Sequence, residues 1–244
     1  RGRGASVNWA QPALDHLVVY AASLDEGAAW CERTLGLPPG PGGQHPLMGT
    51  HNRLLAIDGP LFAGAYLEII AIDSIASHGQ RPVMKRWFDM DFEPLKAAVA
   101  AQGPQLSAWV ARVPDAAASA ARLAAAPLAL DPGAPRPASR PTPQGELRWT
   151  ITLRPDGQRQ LGGCLPTLIT WGDQHPSQRL APGAVRLQAL ALHHPEATRL
   201  AGALAALGLG AHPGLSVVAD PAPRLLARLE TPLGPLTLAS PLLP

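Results

Sequence analysis

The pattern of apolar and polar residues predicts the same order of strands and helices more than once along the chain. An apolar run typical of a β-strand covers 14–20. A helical pattern then runs from Ser23, a residue suited to cap a helix N-terminus, to Gly36, a residue suited to end one. A loop rich in Gly and Pro precedes two more strand patterns, at 51–58 and 65–72. The predicted order is strand, helix, loop or short strand, strand, strand.

The same order recurs twice farther along the chain. The second copy has a strand pattern, a helical pattern and two strand patterns at 106–113, 114–125, 146–153 and 165–171. The third copy has a strand pattern, a helical pattern and three short apolar runs at 185–192, 195–207, 215–219, 224–230 and 235–239. The repeat predicts βαβββ modules at 12–74, 105–176 and, in degenerate form, 184–240, with a helix-containing connector at 75–104.

Alternating strands and helices are also typical of a doubly wound parallel sheet. Here each helix is followed by two or three strands joined by short turns, which favours antiparallel meanders, and no G-x-G-x-x-G follows a strand. We therefore predict an α+β fold of repeated βαβββ modules that form cupped, mostly antiparallel mixed sheets. The segment 132–145, rich in Pro and Arg, is predicted to be irregular.

Composition narrows the class of protein. Hydrophobic residues make up 46% of the chain and charged residues 16%, which excludes a disordered protein. The net charge of +2 comes from scattered arginines, without the basic face of a nucleic-acid-binding protein. No apolar run is long enough to cross a bilayer, no signal-like segment opens the sequence, and the two cysteines suit reduced core thiols. We predict a cytoplasmic protein that binds neither nucleic acid nor membranes.

Four short motifs, taken in their order and spacing, resemble the glyoxalase-like subgroup of the vicinal-oxygen-chelate superfamily. They are Asp-His-Leu-Val-Val at 15–19, Gly-Thr-His-Asn at 49–52, Tyr-Leu-Glu-Ile-Ile at 66–70, and the run at 165–171 followed by His175-Pro176. In that superfamily two βαβββ modules pair around a cavity. A divalent metal, where present, is held by a His on the first strand and a Glu on the last strand of a module. The resemblance, which covers 14–176, gives these roles to His16 and Glu68.

Strand parity agrees with this assignment. If Leu17 packs beneath the helix, then His16 faces the cavity, and if Leu67 packs in the same way, Glu68 faces it too. A carboxylate in an apolar strand is costly to bury without a partner, so Glu68 needs a metal, a base or water. A salt bridge to Arg53 on the neighbouring strand is an equally simple partner.

The second module offers no equivalent ligands, because the positions that align with His16 and Glu68 are Ala108 and the region of Leu168 and Thr170. Catalytic metal sites commonly use three protein ligands. His51 supplies the third only if its side chain points into the cavity. The resemblance then implies one divalent ion, such as zinc, iron, manganese or nickel.

The candidate substrate-binding residues are Asn52, Arg53, Tyr66, Arg148, Trp149 and Trp171. The two tryptophans also suit a strand core. Arg148 lies on the opposite face of its strand from Trp149. It pairs with an anionic substrate if it points into the cup and is a solvated edge residue otherwise.

Two functions fit these residues. In an enzyme, with His16 and Glu68 as catalytic residues, a metal would stabilise an enediolate or similar anion of a small molecule as a Lewis acid, in a lyase, isomerase or dioxygenase reaction. In a non-catalytic module, the same cavity would bind or sequester a small molecule without a metal. An odd number of modules also leaves one cupped sheet without a mate, which predicts a homodimer.

Overall fold

The order of strand, helix and three strands occurs three times in the structure, a computed structural model that describes residues 7–74, 84–143 and 145–243. The α+β class and the mostly antiparallel mixed sheets are thereby confirmed. The predicted start of the connector, 75–83 with His78, lies outside the described residues. Within the described ranges, no helix is long and apolar enough to cross a membrane.

Each of the three copies of this order consists of one helix and four strands. The first copy contains β1 (Ala13–Tyr20), α1 (Leu24–Leu35), β2 (Gln44–His45), β3 (Thr50–Ala56) and β4 (Tyr66–Ile72). Helix α2 (Glu93–Gln102) precedes the second copy, which contains β5 (Gln105–Arg112), α3 (Ala116–Ala124), β6 (Ala134–Thr142), β7 (Gly145–Leu153) and β8 (Thr167–Trp171). The third contains β9 (Arg186–His194), α4 (Ala197–Ala206), β10 (Leu215–Ala219), β11 (Arg224–Thr231) and β12 (Gly234–Ala239). The division into modules remains our interpretation of this order.

Helix α1 begins and ends where the sequence predicts. The Ser23 hydroxyl accepts a hydrogen bond from the backbone N–H of Glu26 at 3.2 Å, which satisfies a donor at the helix start. Gly36 has a φ of 80°, the left-handed conformation that glycine adopts without strain. These two residues fix the length of the helix that packs behind β4.

Strands β1 to β8 form one curved sheet in the order β2-β3-β4-β1-β5-β8-β7-β6. Strand β1 pairs in parallel with β4 and antiparallel with β5, so the first strands of two copies lie together at its centre. The edge strands β2 and β6 approach each other. The Arg140 guanidinium on β6 lies so close to Gly43 that a Cβ there would collide with it. The sheet is therefore nearly a barrel.

The segment predicted to be irregular, 132–145, contains the nine-residue strand β6. The prediction was wrong because proline, which has no N–H to donate, is usually absent from paired strands. Pro135, Pro137 and Pro141 occupy alternate positions of an edge strand that pairs only with β7, so their missing N–H groups all lie on the unpaired side. The correction matters because this strand forms one edge of the cup.

Strands β9 to β12 form a second sheet in the order β10-β9-β11-β12. Its apolar residues, such as Leu190 and Leu225, share one core with Leu17 and Trp109 of the large sheet and with α1, α3 and α4. The sheet of the third copy therefore packs against the large sheet within the same chain. The premise of the predicted homodimer, a sheet without a mate, is wrong, and the homodimer itself stays a prediction.

Both cysteines are free and buried, and burial raises the pKa of Cys31 to about 12 and that of Cys164 to about 11. Because the thiolate is the reactive form, we expect the native protein to leave Ellman's reagent unreacted over minutes. Unfolding in guanidinium is expected to release both thiols at once. Rapid colour development from the native protein would contradict the buried positions.

Candidate functional site

One face of the large sheet lines a cavity, and the other face packs against helices α1, α3 and α4. His16 on β1 and Glu68 on β4 point into the cavity, whereas Leu17 and Leu67 lie in the core beneath the helices. This is the arrangement that strand parity predicts. The cavity wall also includes Asn52, Tyr66, Trp149, Ile169 and Trp171.

His16 lies at the centre of the site, with only 4% of its surface exposed. Its Nδ1 is 2.8 Å from Asp15 Oδ2, and its Nε2 is 3.5 Å from Glu68 Oε2. The Tyr66 ring stacks on it with the ring centroids 4.6 Å apart. The register shifts between Leu14 and His16, so Asp15 is the extra residue of a β-bulge. The bulge explains how two consecutive side chains in one strand meet.

Asp15 is fully buried and has several donors around it. His175 Nε2 lies 2.8 Å from Oδ1, and Trp171 Nε1 donates at 3.2 Å. Arg112 Nη1 lies 3.5 Å away. Burial alone would raise the pKa of Asp15, but the interaction with His175 and the hydrogen bond to His16 outweigh it and hold that pKa far below its usual range. Asp15 is therefore a carboxylate inside the protein.

The two carboxylates determine the charge of His16. Burial alone would lower the pKa of His16, but the hydrogen bond to Asp15 and the contact with Glu68 raise it to about 9. Burial likewise favours a neutral Glu68, yet the interactions with His16 dominate and lower the pKa of its carboxyl. At neutral pH an imidazolium and a carboxylate thus stand side by side on the cavity wall.

Asn52 connects Glu68 to a second histidine. Its Nδ2 donates to Glu68 Oε1 at 2.6 Å, and its Oδ1 accepts from the backbone N–H of Gly43 at 2.8 Å. The same Nδ2 lies 3.3 Å from His45 Nε2, while His45 Nδ1 lies 3.1 Å from the Thr50 hydroxyl. Burial lowers the pKa of His45 to about 4, so this imidazole is neutral and accepts from Asn52.

A family model described as the glyoxalase-like domain matches residues 14–208. The chain belongs to this family. Membership places it in the vicinal-oxygen-chelate superfamily, as the motifs around His16 and Glu68 indicated. No curated protein matches the chain.

A solved structure shares the fold of this glyoxalase-like chain. A hypothetical protein from Staphylococcus aureus is 12% identical, with a TM-score of 0.53 over 93% of this chain and 85% of that one. Methylmalonyl-CoA epimerase from Mycobacterium tuberculosis is 19% identical, with a TM-score of 0.37 over 70% of this chain and 89% of that one. At such identities the likeness concerns the fold alone.

Three predicted site residues of the glyoxalase-like chain lie away from the cavity. His51 and Arg53 flank Asn52 on β3, and because Asn52 points inward, both neighbours point to the other face. His51 Nδ1 lies 3.8 Å from the Asp73 carboxylate. Arg148 is exposed on the outer face of β7 and forms a surface ion pair. The structure therefore does not bring His51, Arg53 or Arg148 together with His16 and Glu68.

The site also contains residues that the sequence did not single out, namely Asp15, His45, Arg140 and His175. Asp15 stands next to His16 in the chain, but a regular strand would turn it to the opposite face. His45 was assigned to a loop and Arg140 to an irregular segment, whereas both lie on strands at the cup edges. His175 belongs to one of the motifs that carry the resemblance, but it was not a candidate site residue.

Aromatic side chains close the cavity. Trp87 and Phe88 cover it, and the His45 ring meets Trp87 edge-on with centroids 5.1 Å apart. The free space left inside is about 30 Å³, which is room for about two water molecules. A larger ligand therefore requires these side chains or Arg140 to move.

The donor set does not fit a three-ligand metal centre. His16 Nε2 and Glu68 are adjacent, but His51 points away from the cavity and Asn52 binds the second oxygen of Glu68. In the ranges that the structure describes, no three His, Cys, Asp or Glu side chains are grouped to hold an ion.

Proposed function

We propose that the protein catalyses proton transfer at the carbon next to a carbonyl group of a small molecule, as an isomerase or lyase does. Glu68 is the base, and protonated His16 donates a hydrogen bond to the carbonyl oxygen. The observation that carries the proposal is the buried pair itself, with His16 Nε2 and Glu68 Oε2 3.5 Å apart on one cavity wall.

His16 suits the role of donor. Asp15 holds its Nδ1, which leaves the Nε2–H directed toward Glu68 and the cavity. As the C–H bond breaks, its electron pair moves toward the carbonyl oxygen and an enolate forms. A fixed cationic donor among aromatic walls stabilises that charge more than water does, because it needs no reorganisation.

Glu68 suits the role of base. Asn52 holds Oε1, so Oε2 is the oxygen that accepts the proton from carbon. In the resting site His16 lowers the pKa of Glu68. When a substrate oxygen takes the His16 hydrogen bond, Glu68 loses that partner, its pKa rises and it becomes a stronger base. The proton then returns to carbon or the intermediate loses a leaving group.

Deuterium incorporation from D2O tests this proposal. Small carbonyl compounds (pyruvate, 2-oxobutyrate, dihydroxyacetone) are followed by proton NMR with protein that has been dialysed against a chelator. We expect exchange at the carbon next to the carbonyl, and a loss of about 100-fold or more in Glu68→Gln, which keeps the contact with Asn52. Glu32→Gln, an exposed carboxylate on α1, is the matched control. An exchange rate in Glu68→Gln equal to that of the control would refute the proposal.

A second candidate is a binding module without catalysis. The small free volume and the protein partners of both His16 and Glu68 favour it. Because Trp87, Trp149 and Trp171 line the cavity, ligand binding is expected to change tryptophan fluorescence. A fluorescence response without deuterium incorporation would identify the protein as a binding module.

A further inference from the structure

A second pocket lies just outside the cavity, at the seam where β2 meets β6. It has a volume of about 290 Å³, and its wall includes Gly43, Arg140 and Arg179. Leu54, Arg140 and Pro176 line both this seam pocket and the inner cavity. The Arg140 side chain therefore stands between the two spaces, and the seam pocket is the outer part of one continuous site.

Arg140 lacks the carboxylate partner that several other partly buried arginines have. Arg86, Arg154 and Arg159 each pair with a carboxylate. Among the described residues, Arg140 forms neither an ion pair nor a hydrogen bond, and it packs on Gly43 with Tyr66 and Glu68 nearby. Burial lowers the pKa of its guanidinium. A cation that has lost water without gaining a partner is a position prepared for an anion.

The seam pocket is lined by two guanidinium groups, those of Arg140 and Arg179, and by no Asp or Glu among the described residues. This excess of positive charge favours an anion in the pocket. Glu68 lines the inner cavity, so a second negative charge at that end of a ligand would meet repulsion.

We propose that the seam pocket binds the carboxylate of a small organic acid through Arg140, while the other end of the molecule enters the inner cavity. A guanidinium binds a carboxylate through two parallel N–H donors. Arg179 faces the same pocket and is held by the Thr142 hydroxyl at 2.6 Å and by Gln174. Only the placement of a carbonyl group beside His16 rests on the proposed function; the carboxylate site does not.

The test compares pyruvate with its uncharged amide, pyruvamide, by tryptophan fluorescence titration. We expect Arg140→Gln to raise the Kd for pyruvate about 10- to 100-fold, the effect of losing one charged hydrogen-bonding partner. Arg140→Lys, which keeps the charge, is expected to restore part of the affinity, and added salt to weaken it. Arg136→Gln removes the same charge from an exposed position on the same strand and is expected to have no effect.

Pyruvamide shows whether each variant keeps an intact cavity, because its Kd is expected to be equal in wild type and Arg140→Gln. The inference is overturned if pyruvate does not bind, if it binds no better than pyruvamide, or if Arg140→Gln behaves like Arg136→Gln. Arg140-dependent binding without deuterium exchange supports the carboxylate site and refutes the catalytic proposal. Exchange on uncharged carbonyl compounds without any Arg140 dependence supports the catalytic proposal and overturns the carboxylate site.

Discussion

Replacing Asp15 with Asn is expected to lower the free energy of unfolding by about 3–5 kcal/mol, because it leaves buried charges without their counter-charge. The amide has nearly the same shape, so packing changes little. However, its neutral oxygen and its NH2 group face donors on every side: His16, His175, Trp171 and Arg112. The pKa of His16 is expected to fall in the same variant, since the hydrogen bond to Asp15 is what chiefly raises it.

Urea unfolding of Asp15→Asn measures the first effect, and NMR titration of the His16 ring measures the second. Glu146→Gln is the control, because Glu146 pairs with Arg148 on the exposed outer face of β7. Exposed pairs contribute about 0–1 kcal/mol. Equal unfolding midpoints for Asp15→Asn and Glu146→Gln would show that the buried network does not stabilise the fold.

The free energy of unfolding is expected to be greatest near pH 6.5 and to fall on both sides. His16 has a pKa raised from 6.5 to about 9, so its stabilisation is complete below pH 6.5 and is lost as the pH rises through 9. His45 has a pKa lowered from 6.5 to about 4, so its stabilisation is present above pH 6.5 and is lost as the pH falls through 4. Each difference corresponds to about 3 kcal/mol.

Unfolding in urea, measured at intervals from about pH 4 to about pH 10, tests these opposite slopes. His45→Gln is expected to flatten the acid side and keep the alkaline slope, whereas His16→Gln is expected to remove the alkaline slope. His45→Gln is therefore the control for His16→Gln. Curves in which both variants keep both slopes would mean that other groups determine the pH dependence.

The sequence predicted the parts of the fold and site that depend on local pattern. The ends of α1 follow from the chemistry of Ser23 and Gly36, which acts within one helical turn. The inward positions of His16 and Glu68 follow from the alternation of side chains on strands whose helix-facing residues are apolar. Neither inference needs knowledge of a distant part of the chain.

The residues that were missed depend on contacts between distant segments. The bulge at Asp15 arises where β1 pairs with β5, about 95 residues later in the chain. Likewise, Arg140 reaches the cavity only because the sheet curves until β6 meets Gly43. The direction of His51 stayed open because the start of β3 was not known from the sequence, and a shift of one residue exchanges the two faces of a strand.

The two halves of the large sheet line the cavity with different types of side chain. The first copy supplies His16, Glu68 and Asn52, whereas the second lines its share with apolar and aromatic residues such as Trp149 and Ile169. Mutation at positions such as Trp149 and Ile169 can therefore reshape the ligand space without touching the acid–base groups, whereas Trp171 and His175 bind Asp15 and so affect His16. An arrangement of this kind separates evolution of selectivity from evolution of reactivity, and a library restricted to positions such as Trp149 and Ile169 would vary the former while keeping the latter.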